Sequence, residues 1–152
     1  MFTVRIQSED FDAAAEAAAL IRGRTDVGAV VTFTGLCRAQ DATGGAPLIA
    51  LTLEHYPGMA EEEIRRLIEE AGTRWPLLGA TVIHRYGRMV PGDNIVLVVT
   101  TSSHRGAAFA AAEFLMDWLK TRAPFWKLEE HEDASSWVAA KDADDEAAER
   151  WG

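Results

Sequence analysis

Three runs rich in Val, Ile and Thr place the narrowest limits on the fold of this chain. They are GAVVTFTGL at 28–36, LIALTLEHY at 48–56 and NIVLVVTTSS at 94–103. Residues of this kind favour extended strands, and glycine or proline near the borders of the runs marks where strands end. Between the runs the apolar residues recur every three or four positions, which is typical of helices packed on a sheet. We therefore predict alternating strands and helices.

The order of the predicted elements indicates an α+β domain. Strands come at 2–7 and at the three runs, and ATVIHRYGRMV forms a further strand before the turn PGD. Helices come at 10–22, at about 60–71 and from about His104 to Arg122. FWKLEEHE and SSWVAA follow as two final strands. This order predicts a mixed or antiparallel sheet with helices on one face.

Helix ends and buried faces follow from the same spacing. Ser8 or Asp10 is placed to cap the first helix, and Gly23 is placed to end it. The first helix is expected to bury Phe11, Ala14, Ala15, Ala18 and Ile21, and the second to bury Ala60, Ile64, Leu67, Ile68 and Ala71.

Charge and cysteine content exclude several functions. The 152 residues carry a formal net charge of -9, which argues against nonspecific binding to nucleic acid or to an anionic membrane. Cys37 is the single cysteine, so an intrachain disulfide and a CxxC metal site are excluded. No stretch resembles a membrane span or the apolar part of a signal peptide. We expect a cytoplasmic protein with no nucleic-acid and no membrane partner.

The start of the third helix offers a site for an anion. Ser102 or Ser103 is placed to cap this helix, which puts His104 and Arg105 in its first turn. Unpaired N–H groups and the positive end of the helix dipole lie there, and both suit a phosphate or a carboxylate. In the alternative interpretation, Arg105 pairs with a surface glutamate and His104 is a structural residue.

Two lysines flank the proline that follows this helix, in the segment LMDWLKTRAPFWKLEE. Lys120 extends from an apolar stripe of the helix, and Lys127 lies on the next strand, which brings residues seven apart back together. A partly desolvated lysine can carry a proton or act as a nucleophile. Alternatively, Lys120 only complements the dipole at the helix end. Phe125 and Trp126 are expected to pack the fold rather than to stack on a ligand.

A further candidate for binding an anionic ligand is Arg38, which follows the single cysteine in the sequence. Arg38 ends a strand next to RAQDATGGAP, a polar and glycine-rich segment that we expect to be a mobile loop. Cys37 is interpreted as a core residue rather than a sulfur-carrying thiol. His55 and His84 are too scattered to indicate a metal site, and the acidic surroundings of His131 support one only weakly. We expect no metal ion and no cofactor.

Several long segments together resemble the catalytic (large) subunit of molybdopterin synthase. They are GAVVTFTGLCR, LTLEHYPGMAE, HRYGRMVPGDNIVLVVTTSSHRGAAFAAAEFLMDWLK and TRAPFWKLE, in the order and at the spacing of that family. The resemblance covers residues 28–130 closely. It implies an α/β-hammerhead fold with an additional antiparallel β-subdomain, as one domain over 1–140 followed by an acidic tail at 141–152.

The resemblance also implies an activity and its partners. A homodimer of large subunits would carry small ubiquitin-like sulfur-carrier subunits at its outer ends, forming a heterotetramer. The thiocarboxylate at the carrier's Gly-Gly C-terminus would enter the large subunit and pass two sulfurs to cyclic pyranopterin monophosphate, forming the dithiolene of molybdopterin. The chain ends ERWG, so we do not expect it to be the carrier itself. The alternatives are a noncatalytic module that binds an anion or small molecule and an assembly subunit that takes up an extended tail.

Matching motifs imply the site residues. Lys120 and Lys127 resemble the family's essential lysines, and either is a candidate proton carrier. The implied substrate-binding set adds Leu36, Cys37, Arg38, His104, Arg105, Leu128 and Glu129, and the implied pocket walls are Phe33 and Met116. Cys37 stands where the family more often has an aliphatic residue, and Leu128 replaces a common lysine, which removes one positive charge. Arg105 is a candidate for its own subunit's pocket or for a neighbour's.

Overall fold

The computed structural model describes residues 1–40, 46–131, 134–138 and 142–152, so part of the predicted loop RAQDATGGAP lies outside the described residues. The elements follow in the order β1 (Phe2–Gln7), α1 (Ala13–Ile21), β2 (Ala29–Leu36), β3 (Leu48–His55), α2 (Met59–Arg74), β4 (Leu77–Arg85), β5 (Gly87–Met89), β6 (Asn94–Ser102), α3 (Arg105–Thr121), β7 (Phe125–His131), β8 (Ala134–Val138) and α4 (Asp142–Glu149). The predicted α+β class is confirmed. Within the described residues, no helix has the length and apolarity needed to cross a membrane.

The first sheet is mixed, with its strands in the order β1-β4-β6-β2. β1 runs parallel to β4, whereas β6 runs antiparallel to both β4 and β2. Val82 and Val98 on the two central strands pack with α2 and α3 in one cluster, and Ile83 and Leu97 pack with α1 in another. Helices therefore cover both faces of this sheet, and the prediction of helices on one face is wrong. Burial on both faces explains why the central strands are apolar along most of their length.

The second sheet is antiparallel throughout, in the order β5-β3-β7-β8. It corresponds to the additional antiparallel subdomain that the resemblance implies. The segment ATVIHRYGRMV, predicted as one strand, divides between the sheets, because β4 ends at Arg85 and β5 begins at Gly87. Gly87 has a φ of 94°, which residues with a side chain rarely adopt. The chain thus changes sheets at this glycine.

Two helices begin at residues other than the predicted caps. Asp12 caps α1, and its carboxylate accepts a hydrogen bond of 3.0 Å from the backbone N–H three residues later. α3 begins after His104, whose side chain makes no capping hydrogen bond. The hydroxyls of Ser102 and Ser103 donate instead to backbone oxygens of two preceding loops. These serines therefore fix the end of β6 rather than the first turn of α3.

The buried face of α2 is predicted correctly, whereas that of the first helix is predicted correctly only for Phe11, which is buried just before α1. Every residue expected to be buried in α2 is buried. In α1, Leu20 packs against the sheet together with Ala13 and Ala17. The α1 residues expected to be buried are exposed instead: Ala14, Ala15, Ala18 and Ile21. A helix composed largely of alanine offers similar apolar surface in every direction, so its one buried leucine decides which face turns inward.

The C-terminal segment, expected to be an acidic tail, packs against α3. α4 occupies most of it, and Trp151 follows α4. The centroid of a Trp151 ring lies 5.7 Å from that of Trp75 and 5.9 Å from that of Phe114, both edge-on. Trp151 Nε1 also donates to the carboxylate of Asp117. The boundary expected after residue 140 lies outside the described residues.

Candidate functional site

A cavity of about 670 Å³ lies between the two sheets at the C-terminal end of α3. Side chains from the end of β2, from β3 and from β7 line it, and the last turn of α3 completes the wall. This volume is within the range of small-molecule sites in proteins. The predicted site residues found in its lining are Phe33, Leu36, Cys37, Arg38, Met116, Lys120, Lys127 and Glu129.

Lys120 and Lys127 reach this cavity from two different elements. Lys120 lies in the last turn of α3 and Lys127 on β7, with Pro124 between the two elements. Because a proline disfavours helical backbone in the residue before it, α3 ends before Pro124. The chain then turns back, and β7 runs past the end of the helix. Pairing of Lys127 with Leu53 of β3 fixes its position along the sheet. Lys120 is exposed, so the partial desolvation predicted for it is not found in the single chain.

The segment after β2 brings Arg38 to the cavity. The backbone N–H of Cys37 donates to the backbone oxygen of Asp93 at 2.8 Å, and the backbone N–H of Gly92 donates to the backbone oxygen of Cys37 at 2.7 Å. The Cys37 side chain is buried at 3% exposure. Burial raises the pKa of its thiol, and the Asp93 carboxylate adds to the rise. A buried and protonated thiol is a poor nucleophile, which agrees with the interpretation of Cys37 as a core residue.

His84 on β4 forms part of the cavity wall. Its ring stacks on Phe125, with 3.9 Å between the centroids and 17° between the planes. Its Nδ1 lies 2.9 Å from the backbone oxygen of Arg85, which can only accept, so Nδ1 carries the proton and Nε2 is an acceptor. Burial lowers the pKa of His84 to about 4, and the charge of Lys120 contributes. His84 is therefore a neutral hydrogen-bond acceptor near pH 7.

Three charged side chains on β7 face the cavity at every second position: Lys127, Glu129 and His131. Glu129 Oε2 lies 3.7 Å from Lys127 Nζ, and Glu129 Oε1 lies 3.1 Å from His131 Nε2. His131 Nδ1 lies 3.2 Å from the backbone oxygen of Pro47. The hydrogen bond to Glu129 raises the pKa of His131, and the one to Pro47 adds to the rise. The Glu129 carboxylate thus contacts both Lys127 and His131.

Among the described residues, positive charge predominates around the cavity. The cations are Arg38, Lys120 and Lys127, the carboxylates are Glu129 and Asp144, and His131 adds a further positive charge when it is protonated. The charge around the cavity is therefore opposite in sign to the net charge of the whole chain, which is -9. It favours an anionic ligand in the cavity. In the part of the chain that the structure describes, no group of three or more His, Cys, Asp or Glu side chains is arranged to hold a metal ion.

Three predicted binding residues do not line this cavity in the described chain. His104 and Arg105 lie at the opposite end of α3 from Lys120, about 22 Å away at a rise of about 1.5 Å per residue. Both are exposed there. Leu128 lies on the other face of β7, because side chains alternate along a strand and Lys127 faces the cavity. Within a single chain, eight of the predicted site residues therefore line the cavity, and His104, Arg105 and Leu128 lie outside its lining.

Comparison with known proteins identifies the family. A family model described as MoaE protein matches residues 6–122. The chain belongs to the MoaE protein family. A relative from Rhizobium meliloti, named molybdopterin synthase catalytic subunit, is 64% identical over 151 residues, which cover 98% of this chain and 95% of the relative. A relative of the same name from Mesorhizobium japonicum is 63% identical, and the match covers 98% of this chain and 92% of the relative.

Solved structures share this fold. The molybdopterin biosynthesis MoaE protein from Burkholderia ambifaria matches with a TM-score of 0.84 and 48% identity, covering 100% of this chain and 99% of its own. A chain from Helicobacter pylori, in a complex of subunits 1 and 2 of molybdopterin-converting factor, matches with a TM-score of 0.68 and 18% identity, covering 93% and 90%. The second likeness shows the fold alone. Family membership makes the chain an enzyme of molybdenum cofactor biosynthesis rather than a noncatalytic module.

The two aromatic residues between the lysines of this MoaE-family chain differ in environment. Phe125 packs against the largest core cluster and stacks on His84. Trp126 is 45% exposed and contacts the exposed Tyr56, with 5.6 Å between the ring centroids. The prediction that both residues pack the fold is therefore correct for Phe125 and wrong for Trp126.

No cavity role is predicted from the sequence for His84, His131 or Asp144, which all lie in the lining. The sequence offers the two histidines only as weak candidates for metal ligands. A signal for His131 exists, because it continues the two-residue period of the charged row on β7. His84 carries no such signal, because its stacking partner Phe125 belongs to an element far away in the sequence.

Proposed function

We propose that this MoaE-family enzyme is a sulfurtransferase that forms the dithiolene of molybdopterin. Its substrate is cyclic pyranopterin monophosphate, and its sulfur source is the thiocarboxylated Gly-Gly C-terminus of a small sulfur-carrier subunit. Two sulfurs are inserted in each precursor molecule. The observation that carries the proposal is that Lys120 and Lys127 line one cavity of about 670 Å³. The names of the relatives support the same pathway.

The cations in the cavity oppose the repulsion between the two proposed reactants. The precursor carries a cyclic phosphate and the carrier ends in a thiocarboxylate, so both are anions. Two unit charges about 4 Å apart interact by about 4 kcal/mol at an effective dielectric constant near 20. Lys120, Lys127 and Arg38 in the cavity wall offset this energy. Without them, a protein of net charge -9 would disfavour both ligands.

The two lysines have different chemical roles in this proposal, one in binding and one in proton transfer. Each transferred sulfur leaves the acyl carbon of the carrier, which takes up an oxygen and ends as an ordinary carboxylate. The sulfur replaces an oxygen of the precursor without a change of oxidation state, and a proton has to move as that oxygen leaves. One lysine holds the thiocarboxylate while the other carries the proton. The neutral ring of His84 and the carboxylate of Glu129 lie in the same wall and set the local field around the two ammonium groups.

The other predicted residues around the cavity bind and enclose the substrate. Leu36, Cys37, Arg38 and Glu129 are the proposed substrate contacts, and Phe33 and Met116 are the proposed walls. Leu128 takes part through its backbone, because its side chain lies on the other face of β7.

The proposed assembly is a cytoplasmic heterotetramer, in which two copies of this chain form a homodimer and each binds one carrier subunit. The Helicobacter pylori structure, a complex of subunits 1 and 2 with the same fold, supports a small-subunit partner. His104 and Arg105 keep their proposed role as anion-binding residues if they enter the cavity of a neighbouring copy, because α3 holds them about 22 Å from Lys120.

Replacement of either lysine tests the proposal. Lys120→Ala and Lys127→Ala should fold normally, because Lys120 is exposed and Lys127 is only half-buried. With thiocarboxylated carrier and the pyranopterin precursor, each variant should form dithiolene at least about 100-fold more slowly, since a proton-transferring group is lost. Product formation is followed by mass spectrometry of the pterin.

Arg122→Ala is the matched control. Arg122 lies two residues after Lys120 but pairs with Glu63 at 2.7 Å, outside the cavity lining. Its loss should leave the rate within about twofold of wild type, because a surface ion pair contributes little. Lysine variants that convert the precursor at nearly the wild-type rate would contradict the proposal. So would saturable binding of both reactants by the wild type without turnover.

A further inference from the structure

We propose that His131 is a positioning residue of this cavity: as an imidazolium it holds the carboxylate of Glu129 and thereby leaves Lys127 available to the anionic ligand. The inference rests on the proposed function, because it concerns the binding of the carrier's C-terminus. It adds a residue that neither the motifs nor the resemblance singled out for this site.

The contacts of Glu129 show how the carboxylate is divided between its two partners. Its Oε1 lies 3.1 Å from His131 Nε2, a hydrogen-bond distance, whereas its Oε2 lies 3.7 Å from Lys127 Nζ. Both partners stand two positions away on the same face of β7. The closer and directional contact is the one to His131. Glu129 therefore pairs with both neighbours but is held more closely by His131 than by Lys127.

The surroundings of the ring require His131 to be protonated on both nitrogens. Its Nδ1 lies 3.2 Å from the backbone oxygen of Pro47, and its Nε2 faces the Glu129 carboxylate. A carbonyl oxygen and an ionised carboxylate can only accept hydrogen bonds, so both ring nitrogens have to donate. In agreement, these two contacts raise the pKa of His131 above its usual value.

The charged groups that face this row come from four elements. β7 supplies Lys127 and Glu129, α3 supplies Lys120, the segment after β2 supplies Arg38, and α4 supplies Asp144. The titratable side chains Cys37 and His84 lie in the same lining. Of the described residues before β3, Pro47 and Ala46 face His131 with backbone oxygens. Arg88 and Glu130 form a separate pair on the other face of β7, at 3.4 Å.

Loss of the His131 proton changes both the charge of the cavity and the partner of Glu129. The cavity loses one positive charge, and the hydrogen bond that holds Glu129 is weakened. The carboxylate is then left with Lys127 as its cationic partner and competes with the ligand for it. The affinity for an anionic chain end should therefore fall as the pH rises through the pKa of His131.

Binding of the carrier at several pH values tests this role. The probe is the carrier subunit with its ordinary Gly-Gly carboxylate, which binds without turnover, and the dissociation constant is measured by calorimetry between pH 6 and 8.5. Wild type should lose about fivefold to tenfold in affinity over this range, as expected for one partly screened charge. His131→Gln should bind weakly and His131→Arg tightly at every pH, because neither side chain titrates there.

Arg88→Gln serves as the control, because it removes the ion pair on the opposite face of the same strand. It should keep the pH dependence of wild type. A His131→Gln protein with the wild-type pH dependence would overturn the role of His131 alone. Failure of wild type to bind the carrier at any pH would overturn the proposed function, and this role with it.

A second measurement needs no carrier. Titration of the histidine ring protons by NMR in the full chain should give His131 a pKa above 6.5. Glu129→Gln should lower that pKa, because the first contact of His131 loses its charge. A His131 that titrates at or below 6.5 in wild type, or one that Glu129→Gln leaves unchanged, would overturn the inference.

Discussion

At the scale of single residues, the surroundings of two histidines in one cavity shift their pKa values in opposite directions. His84 is 8% exposed and stacks on Phe125, which makes its charged form unfavourable. His131 lies between a carbonyl and a carboxylate, which require the charged form. Sequence analysis finds two chemically equal imidazoles, because the groups that distinguish them belong largely to other elements.

The burial of His84 predicts a loss of stability in mild acid. The unfolded chain binds a proton at this residue below about pH 6.5, whereas the folded chain binds it only near pH 4. Protonation thus favours the unfolded state, and the contribution of His84 to the free energy of unfolding should fall by roughly 3 kcal/mol from pH 6.5 to 4. Urea unfolding at several pH values measures this decline.

His84→Gln isolates the contribution of this one group. The variant loses the ring stacking and should be less stable at pH 7, but its stability should fall less steeply between pH 7 and 5. His131 acts with the opposite sign, since its raised pKa favours the folded state at low pH. Equal slopes for wild type and His84→Gln would show that His84 is not held neutral in the fold.

At the scale of elements, the strongly patterned segments are predictable and the uniform ones are not. α2 alternates apolar and charged residues at helical spacing, and its buried face is predicted correctly. α1 consists largely of alanine, so its spacing does not define one face. The division of a predicted strand into β4 and β5 has only Gly87 as a signal, and a single glycine is compatible with a continuous strand.

The packing of the segment after α4 predicts that it contributes to stability. Trp151→Ala removes ring contacts with Trp75 and Phe114 and the hydrogen bond to Asp117. Because the ring is only partly buried, the free energy of unfolding should fall by about 2 to 3 kcal/mol, below the cost of a fully buried tryptophan. Urea unfolding followed by circular dichroism gives the value.

Arg150→Ala is the neighbouring control for Trp151. Arg150 pairs with Glu113 and Asp117 near the protein surface, and its loss should cost clearly less stability than the loss of Trp151, because surface ion pairs contribute little. A Trp151→Ala protein as stable as Arg150→Ala would mean that the C-terminal segment is not docked on α3.

At the scale of the whole molecule, the cavity is assembled from segments that are distant in the sequence. Phe33, Leu53, Lys120 and Lys127 come from four elements and meet at one place. Local patterning locates the strands and helices but does not specify which of their ends meet. The lysine pair is predictable because a short connection joins its two elements. The position of Arg105 outside the cavity becomes evident only from the length of α3.

The separation of Arg105 from Lys127 predicts complementation between copies. In a dimer of one Arg105→Ala chain and one Lys127→Ala chain, one cavity keeps its own Lys127 and receives an intact Arg105 from the neighbour. If Arg105 acts on the neighbouring cavity of the proposed homodimer, such dimers, purified through two different tags, should show about half of the wild-type activity, since one of two cavities is complete. Each variant alone should be much less active.

A mixed dimer of Lys120→Ala and Lys127→Ala is the control. Both lysines line the same cavity of the same chain, so neither cavity of this dimer is complete and no activity should return. If the Arg105 mixture also shows no recovery, Arg105 does not act on a neighbour's cavity.

The two lysines belong to different halves of the architecture, with Lys120 on a helix packed against the first sheet and Lys127 on a strand of the second. A chain in which only one half has formed presents a single ammonium group and no enclosed space. In the proposed function, capture of the two mutually repelling reactants is therefore restricted to molecules that have completed folding, and a partly folded subunit does not occupy a sulfur-loaded carrier.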